Sequence, residues 1–141
     1  MYPTYRPATS HDIEGMHRVR KAVLENRLTS NKIREEHYVP YLEELGRSWV
    51  ALNDVGEVLG FAAGNKETGN IWALFVHPDA EGKGIGKQLH DIMIAWLFST
   101  GLRELNLSTD AKTRAQQFYE RAGWSLVKVE DSEAFYVLRH P

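Results

Sequence analysis

The residues best suited to chemistry in this 141-residue chain form a cluster of glycines and lysines in its second half. Gly82, Gly84 and Gly86 occupy alternate positions, Lys83 and Lys87 lie among them, and an apolar-periodic segment follows at once. Glycine lets consecutive backbone N–H groups point into one concavity, and a helix that starts there adds its unpaired N–H groups and the positive end of its dipole. The pattern predicts a loop that binds phosphate or pyrophosphate; the alternative is a tight turn with solvated lysines.

This glycine loop differs from two common phosphate-binding motifs. A Walker loop needs Gly-Lys followed by Ser or Thr, but Gly82-Lys83 is followed by Gly84. The dinucleotide fingerprint needs a third glycine three residues after the second, and the two possible pairs place Lys87 or Leu89 there. The sequence therefore favours a different class of phosphate-bearing ligand.

Composition narrows the class of protein. The chain is 43% hydrophobic and 26% charged, as globular proteins usually are, and its net charge of −2 provides no global basic field for nucleic acid. It has no cysteine, which excludes disulfides, cysteine-ligated zinc and a cysteine nucleophile, and its histidines show no metal-ligand spacing. The sequence opens without an apolar signal core, and its longest apolar segment, around Ile92–Phe98, is too short to cross a bilayer. We expect one cytoplasmic domain over residues 1–141 that binds neither nucleic acid nor membrane.

Hydrophobic periodicity predicts an α+β fold with the order β-α-α-β-β-β-α-β-α-β-β. The predicted strands are Thr4–Ala8, Ser48–Asn53, Glu57–Lys66, Ile71–His77, Leu102–Thr109, Trp124–Val129 and Ala134–Arg139. The predicted helices are Asp12–Glu25, one from Ser30 or Asn31 that Pro40 interrupts before a turn ending at Gly46, one from Ile85 ending at Gly101, and one from Thr113 ending at Gly123. Capping boxes are expected at Thr9-x-x-Asp12 and Thr113-x-x-Gln116. The second to fourth strands are joined by short turns, which predicts an antiparallel meander.

Two segments resemble the signatures of the GNAT superfamily of N-acyltransferases. FVHPDAEGKGIGKQL, residues 75–89, is similar to the acyl-CoA-binding motif, in which Gln/Arg-x-x-Gly-x-Gly/Ala follows a strand ending in Val-x-Pro. Glu81 departs from this pattern because it stands where Gln or Arg is usual. TRAQQFYERAGW, residues 113–124, is similar to the family's Ala-x-x-Phe-Tyr-x-x-x-Gly-Phe/Trp segment, with Lys112 where Asn is often found. Both occur in the family's order and separation, and the resemblance spans nearly the whole chain.

The resemblance implies helices on both faces of a central mixed sheet that splays between its fourth and fifth strands. It also implies acetyl-CoA as cosubstrate, with no metal. The main chain of Leu74, Phe75 and Val76 would bond the pantetheine amides, and an N–H near Phe75 or Val76 would polarise the acetyl oxygen. The pyrophosphate would lie at the glycine loop and the start of the helix, Glu81, Gly82, Lys83, Gly84, Ile85, Gly86 and Lys87.

The second motif completes the implied cofactor site and supplies a catalytic candidate. Ala115 and Phe118 would lie along acetyl-CoA, and Arg114, Lys83 or Arg121 would reach its 3′-phosphate. Acetyl transfer to an amine would be direct, without an acyl-enzyme. Tyr119 would then protonate or orient the leaving thiolate, unless it is a packing aromatic.

The base and the acceptor site are less defined by the sequence. The fourth strand contains no carboxylate, so Glu67 in the preceding turn is the candidate base, with Asp110 or a water chain as alternatives. The acceptor should contact residues 26–45 and the ends of the third and fourth strands, where Tyr38, Tyr41 and Trp72 are either pocket walls or core. Four acidic residues there would attract a cationic amine or form a solvated face: Glu35, Glu36, Glu43 and Glu44. A homodimer is possible, and a non-catalytic acyl-CoA-sensing module is the alternative function.

Overall fold

Seven strands and three α-helices make up the computed structural model, which describes residues 3–24 and 33–141. The strands are β1 (Thr4–Pro7), β2 (Gly46–Leu52), β3 (Val58–Asn65), β4 (Ile71–Val76), β5 (Glu104–Asp110), β6 (Ser125–Glu130) and β7 (Glu133–Arg139). The helices are α1 (Ile13–Leu24), α2 (Ile85–Ser99) and α3 (Arg114–Arg121), with 3-10 segments at Ser10–Asp12, Glu35–Tyr41 and Pro78–Ala80. This order confirms the predicted α+β class.

The strands form two antiparallel sheets. The first has the order β1-β2-β3-β4, which includes the predicted meander, and the second has the order β5-β7-β6. The two sheets meet at one parallel bridge between Asn70 and Asn106. Asn106 N donates to Gly69 O at 2.9 Å, and Asn70 Nδ2 donates to Asn106 Oδ1 at 2.8 Å. The predicted splay between the fourth and fifth strands is therefore a division into two sheets. The contact between Asn70 and Asn106, called the pin below, joins the two sheets where β4 and β5 begin.

A bulge bends β4 just after this pin. Ala63 pairs with Ala73 and Gly64 pairs with Ile71, so Trp72 is an extra residue on β4. An extra residue bends its strand and re-aims the side chains that follow it. Trp72 and Ala73 consequently both pack on the α1 side of the sheet.

The core has two layers, one on each face of the first sheet. On one face, α2 buries Ile85, Leu89, Met93 and Leu97, whose four-residue spacing forms the predicted apolar face. The other face carries α1 and the 3-10 segment Glu35–Tyr41, with Met16, Val19, Tyr38 and Phe61 as the centre of that layer. The space beside β4 is thus bounded by α2 and α3 on one side and by α1 on the other.

Several local predictions need correction or fall outside the described residues. The start of a helix at Ser30 or Asn31 lies outside the described residues. Pro40 does not interrupt the 3-10 segment, which continues to Tyr41 because the fixed φ of proline suits 3-10 geometry, and Gly46 begins β2 instead of ending a turn.

The two capping boxes have different outcomes. The box at Thr9 and Asp12 is confirmed. At Thr113 the predicted box is absent, because its hydroxyl donates to Asp110 O at 2.7 Å while Gln116 accepts from the N–H of Lys112. Within residues 3–24 and 33–141, no helix has the length and apolarity needed to cross a membrane.

Candidate active site

The glycine loop joins the end of β4 to the start of α2 through a short 3-10 turn. His77 Nδ1 accepts from Asp79 N at 3.0 Å, and the buried side chain of Ala80 anchors the turn. Gly82 (φ 78°) and Gly84 (φ 79°) then adopt left-handed backbone conformations, which glycine adopts without strain. The loop therefore brings the chain directly from the sheet edge to the N-terminus of α2.

The N-terminus of α2 carries uncompensated positive potential. Gly84 is its N-cap and provides no side-chain cap, and no acidic residue lies in its first turn. The helical ladder begins with Gln88 N, which donates to Gly84 O at 3.1 Å, so the N–H groups of Ile85, Gly86 and Lys87 have no helical acceptor. This geometry suits an anion at the loop.

Gly86 lies where α2, β4 and α3 converge. A Cβ on this residue would lie 3.5 Å from Val76 Cγ2 and 3.8 Å from Phe118 Cε1, which are ordinary van der Waals distances. Its φ is not in the left-handed region, so neither the backbone nor the packing of the protein requires glycine here. A glycine that the protein itself does not require is consistent with close approach by a ligand.

Beyond the pin, β4 turns an unpaired edge towards the space between the sheets. His77 N donates to Leu59 O at 2.8 Å, and the register pairs Phe75 with Phe61. Because antiparallel strands alternate between hydrogen-bonded and non-hydrogen-bonded pairs, Phe75 directs its backbone groups towards β3. Leu74 and Val76 then direct their N–H and C=O groups into the gap.

Tyr119 is buried in an aromatic cluster, in the core layer against which Leu74 and Val76 of β4 pack. Its side chain is 7% exposed, and its ring centroid lies 5.2 Å from that of Phe118, 5.7 Å from Trp124 and 6.4 Å from Tyr136. Burial raises the pKa of the Tyr119 phenol above its ordinary value, so the hydroxyl keeps its proton at neutral pH.

The buried side chain of His90 packs against this aromatic cluster. Trp124 Nε1 donates to His90 Nε2 at 3.0 Å, so the proton of a neutral His90 ring lies on Nδ1, which faces Asp91 Oδ1 at 2.9 Å. The ring of His90 also lies 6.4 Å from that of Tyr119. This bonded pair fixes α2 against the segment after α3 and so fixes the position of Tyr119.

The structure separates the basic residues that were predicted to meet phosphates. Lys83 is exposed in the glycine loop, whereas Lys87 Nζ lies 2.7 Å from Asp91 Oδ2. Arg114 Nη1 is 3.5 Å from Glu81 Oε1, which places it beside the loop. Arg121 lies in the last turn of α3, where Gln117 accepts from its Nη2 at 3.5 Å.

Glu67 and Asp110, the two carboxylates predicted as candidate bases, lie on different elements beside the gap. Glu67 lies in the turn before β4, where its N–H donates to Asn65 Oδ1 at 2.8 Å. The six residues of β4 separate this turn from the glycine loop, a distance of roughly 17 Å at about 3.3 Å per residue. Asp110 ends β5 and precedes α3, so it lies on the other side of the gap.

The α1 side of β4 carries the predicted aromatic residues and one residue that the sequence reasoning missed. Tyr38 is fully buried, and Tyr41 stacks on Trp72 with ring centroids 4.5 Å apart. The guanidinium of Arg20 on α1 lies among these rings, 4.6 Å from the Trp72 centroid and 4.9 Å from that of Phe75. Its position on the apolar stripe of α1 was the available sequence signal, since a charged residue on such a stripe must be accommodated inside.

A cavity of about 290 Å³ lies apart from this region, beside the Asn70–Asn106 bridge. Its lining includes Ser108 on β5, Lys128 on β6 and Phe135 on β7. The lining includes neither Tyr119 nor the glycine loop, so it is not the position of the predicted chemistry. Among residues 3–24 and 33–141, no group of three or more histidine or acidic side chains is arranged to hold a metal ion.

Comparison with known sequences gives a consistent family and varied acceptors. The model of the acetyltransferase (GNAT) family matches residues 14–124. A mycothiol acetyltransferase of Geodermatophilus obscurus is 33% identical over 89 residues, which are 62% of this chain and 27% of that protein. The peptidyl-lysine N-acetyltransferase YjaB of Salmonella typhimurium is 36% identical over 80 residues, which are 55% of this chain and 50% of that protein. The matched parts thus span half or less of these curated relatives.

Solved structures share the fold over nearly the whole chain. A GNAT-family acetyltransferase of Staphylococcus aureus Mu50 superposes with a TM-score of 0.81 at 20% identity, covering 96% of this chain and 98% of that one. A GNAT-family acetyltransferase of Brucella melitensis in complex with acetyl-CoA has a TM-score of 0.75 at 25% identity, covering 98% of this chain and 88% of that one.

Proposed function

Because the chain belongs to the acetyltransferase (GNAT) family, we propose that it transfers an acetyl group from acetyl-CoA directly to a primary amine of a small molecule or peptide. The observation that carries the proposal is the unpaired edge of β4, which leads straight into the glycine loop and the uncapped N-terminus of α2. One curated relative is named as a lysine N-acetyltransferase, which supports an amine acceptor.

The proposed cofactor site follows this edge and the loop. The amides of the pantetheine arm bond the outward-facing backbone groups of Leu74 and Val76, as an added strand would. The pyrophosphate accepts hydrogen bonds from the backbone of residues 82–87. Arg114 or Lys83 meets the 3′-phosphate, because both lie at the loop whereas Arg121 is at the far end of α3.

The proposed reaction is a direct acyl transfer. The amine nitrogen attacks the thioester carbon, a C–N bond forms, the C–S bond breaks, and the nitrogen loses a proton while the thiolate gains one. Whichever gap-facing N–H of β4 is not used by the pantetheine amides, that of Leu74 or that of Val76, donates to the oxygen on which negative charge develops. The chain has no cysteine that could carry an acetyl group in an intermediate.

Tyr119 is the proposed partner of the leaving sulfur. Its pKa is raised by burial, whereas a thiol has a pKa of about 8.5, so the phenol holds its proton against the thiolate. Its role is therefore to donate a hydrogen bond that orients and stabilises the sulfur, and solvent completes the protonation. Glu67, in the turn before β4, stays the proposed base that takes the proton of the amine, with Asp110 or a water chain as the alternatives.

Calorimetry with acetyl-CoA and a thiol-release assay over an amine panel test this function. We expect saturable binding of acetyl-CoA and release of CoA that depends on the amine. Tyr119→Phe should lower kcat without weakening acetyl-CoA binding. Tyr136→Phe is the matched control, because Tyr136 belongs to the same cluster but its hydroxyl donates to Glu120 Oε2 at 2.7 Å.

The possible outcomes separate the alternatives. Binding of acetyl-CoA without turnover on any amine would establish a sensing module in place of an enzyme. No binding at all would overturn the assignment of the glycine loop. Equal activity of Tyr119→Phe and the wild type would remove Tyr119 from the mechanism while leaving the function intact.

A further inference from the structure

The guanidinium of Arg20 is buried among aromatic rings, and the described part of the chain places no acidic partner on it. The residue is 7% exposed, and its Cζ lies within 6.0 Å of four ring centroids, those of Tyr38, Phe61, Trp72 and Phe75. No carboxylate within residues 3–24 and 33–141 forms an ion pair with it. Aromatic faces attract the cation, but they leave its N–H groups without acceptors.

Its hydrogen bonds leave one nitrogen unsatisfied. Arg20 Nε donates to the hydroxyl of Tyr38 at 3.0 Å, and that hydroxyl also lies 3.0 Å from His17 Nδ1. Arg20 Nη2 is buried and has no hydrogen-bond partner among residues 3–24 and 33–141. A buried donor without a partner is rare in native proteins and requires an explanation.

The polar neighbours of Arg20 do not neutralise its charge. Burial lowers the pKa of Arg20, but arginine remains protonated in proteins. Burial raises the pKa of Tyr38 and, together with the charge of Lys21, lowers the pKa of His17, so both are uncharged near neutral pH. The carboxylate of Glu35 is near enough to raise the pKa of both His17 and Tyr38, but within residues 3–24 and 33–141 it forms no ion pair with Arg20.

The position of Arg20 relates it to the proposed reaction. Trp72 and Phe75, on which its head lies, belong to β4, the strand proposed to hold the pantetheine arm. They face α1, whereas Leu74 and Val76 face α2. Because α1 and the 3-10 segment Glu35–Tyr41 also pack on the α1 face, an acceptor reaches β4 on this side only where Trp72 and Phe75 are partly exposed. Both aromatic residues are half-buried, so the guanidinium lies one layer of side chains below the surface.

We propose that the acceptor amine carries a carboxylate and that Arg20 Nη2 binds it. A guanidinium is the preferred partner of a carboxylate in a desolvated site, because its donors match the carboxylate oxygens. The apolar part of the acceptor lies against Trp72 and Phe75, which places its amino group towards the gap. This inference rests on the proposed acetyl transfer and narrows its acceptors to small amines of amino-acid type.

Matched pairs of acceptors test the inference. Each pair consists of an amino acid and its amide, which differ in the carboxylate and share the amino group. We expect kcat/KM to be at least tenfold higher for the acid, although the less basic amine of the amide is the more available nucleophile. Arg20→Met, which keeps an unbranched side chain, should bring the ratio of acid to amide close to one, and Arg20→Lys should restore part of it.

Arg18→Met is the control on the same helix, because Arg18 is exposed and donates to Val58 O at 3.0 Å. It should keep the ratio of the wild type. Equal use of acid and amide by the wild type, or an unchanged ratio in Arg20→Met, would overturn the proposal. If Arg20→Met fails to fold, Arg20→Lys and the ratio of the wild type still decide the question.

A binding experiment separates failure of this inference from failure of the proposed function. Calorimetry of N-acetylated amino acids and their amides is carried out on the CoA-bound protein, so it needs no turnover. Tighter binding of the acid, lost in Arg20→Met, supports the site even if no amine is acetylated. Turnover of amines without preference for a carboxylate would leave the acetyltransferase in place and remove Arg20 from acceptor recognition. Peptides with a free terminal carboxylate form a further arm, and equal preference for them would overturn the restriction to small acceptors.

Discussion

Gly86→Ala should strengthen the fold and weaken acetyl-CoA binding at the same time. Gly86 lies in the first turn of α2 without a left-handed φ, and a Cβ there would meet its nearest neighbours at 3.5 and 3.8 Å. Replacing glycine with alanine at a compatible position stabilises a protein by about 0.4–1 kcal/mol, because the unfolded chain loses conformational freedom. For a domain of this size we expect a rise in Tm of about 1–4 °C.

The same methyl group would occupy space that the ligand needs. If it displaces the pyrophosphate from one backbone N–H, the loss is a hydrogen bond to a charged group, worth about 1.5–3 kcal/mol. At 1.4 kcal/mol per tenfold change, Kd for acetyl-CoA rises roughly 10- to 150-fold. Opposite signs for stability and affinity distinguish this result from general damage to the fold, which would lower both.

Thermal denaturation without ligand and calorimetry with acetyl-CoA measure the two effects separately. Ser99→Ala at the other end of α2 serves as the control, because Ser99 is exposed and its hydroxyl donates to Trp96 O in the same helix. It should leave Kd unchanged. Unaltered affinity in Gly86→Ala would show that the ligand does not pass against the first turn of α2, and a fall in Tm would show that the space at Gly86 is smaller than the structure indicates.

The remaining predictions concern the sulfur partner, the loop charge and the first cap. Tyr119→Phe should lower kcat by about 10- to 100-fold, because it removes one hydrogen bond to a charged atom. A stopped-flow thiol assay measures kcat, and a decrease smaller than this would contradict the role of Tyr119. Glu81→Gln frees Arg114 and removes a negative charge beside the loop, so calorimetry at low salt should show acetyl-CoA binding about two- to fivefold tighter, and weaker binding would refute this. Burial raises the pKa of Asp12, but hydrogen bonds from Arg6 and Thr9 outweigh it and hold this pKa below its ordinary value, so its contribution is present above pH 4 and is lost as pH falls further. Asp12→Asn should therefore lower the free energy of unfolding by about 1 kcal/mol near neutral pH and less below pH 4, and a constant difference between denaturation series at the two pH values would contradict this.

Local patterns predicted the elements that position the site. The glycine at 101 after α2 and the one at 123 after α3 both adopt a positive φ and end their helices as expected, because a C-terminal glycine acts through its own backbone. The buried face of α2 was predicted from the spacing of its apolar residues along the chain. Such features depend on a few neighbouring residues, which one sequence contains.

Features that depend on pairing between distant segments were not accessible from the sequence. The bulge at Trp72 exists only relative to Ala63 and Gly64 on the neighbouring strand. The predicted box at Thr113 failed for a local reason instead, because Gln116 accepts from the N–H of Lys112 and not from that of Thr113. The environment of Arg20 consists of four aromatic rings from three other elements, and the sequence alone does not show that these elements meet around it.

The contact between Asn70 and Asn106 also affects whether a strand of another protein can pair with β4. Unpaired strand edges invite pairing with foreign strands, and most proteins protect them at the outer rim of a sheet. Here the unpaired edge lies inside a wedge, because the amide pair and Gly69, whose Cβ would come within 2.7 Å of Glu104 O, hold the two sheets together at its closed end. A slender, flexible molecule can enter such a wedge, whereas a polypeptide strand with side chains on both faces would have to force the two sheets apart.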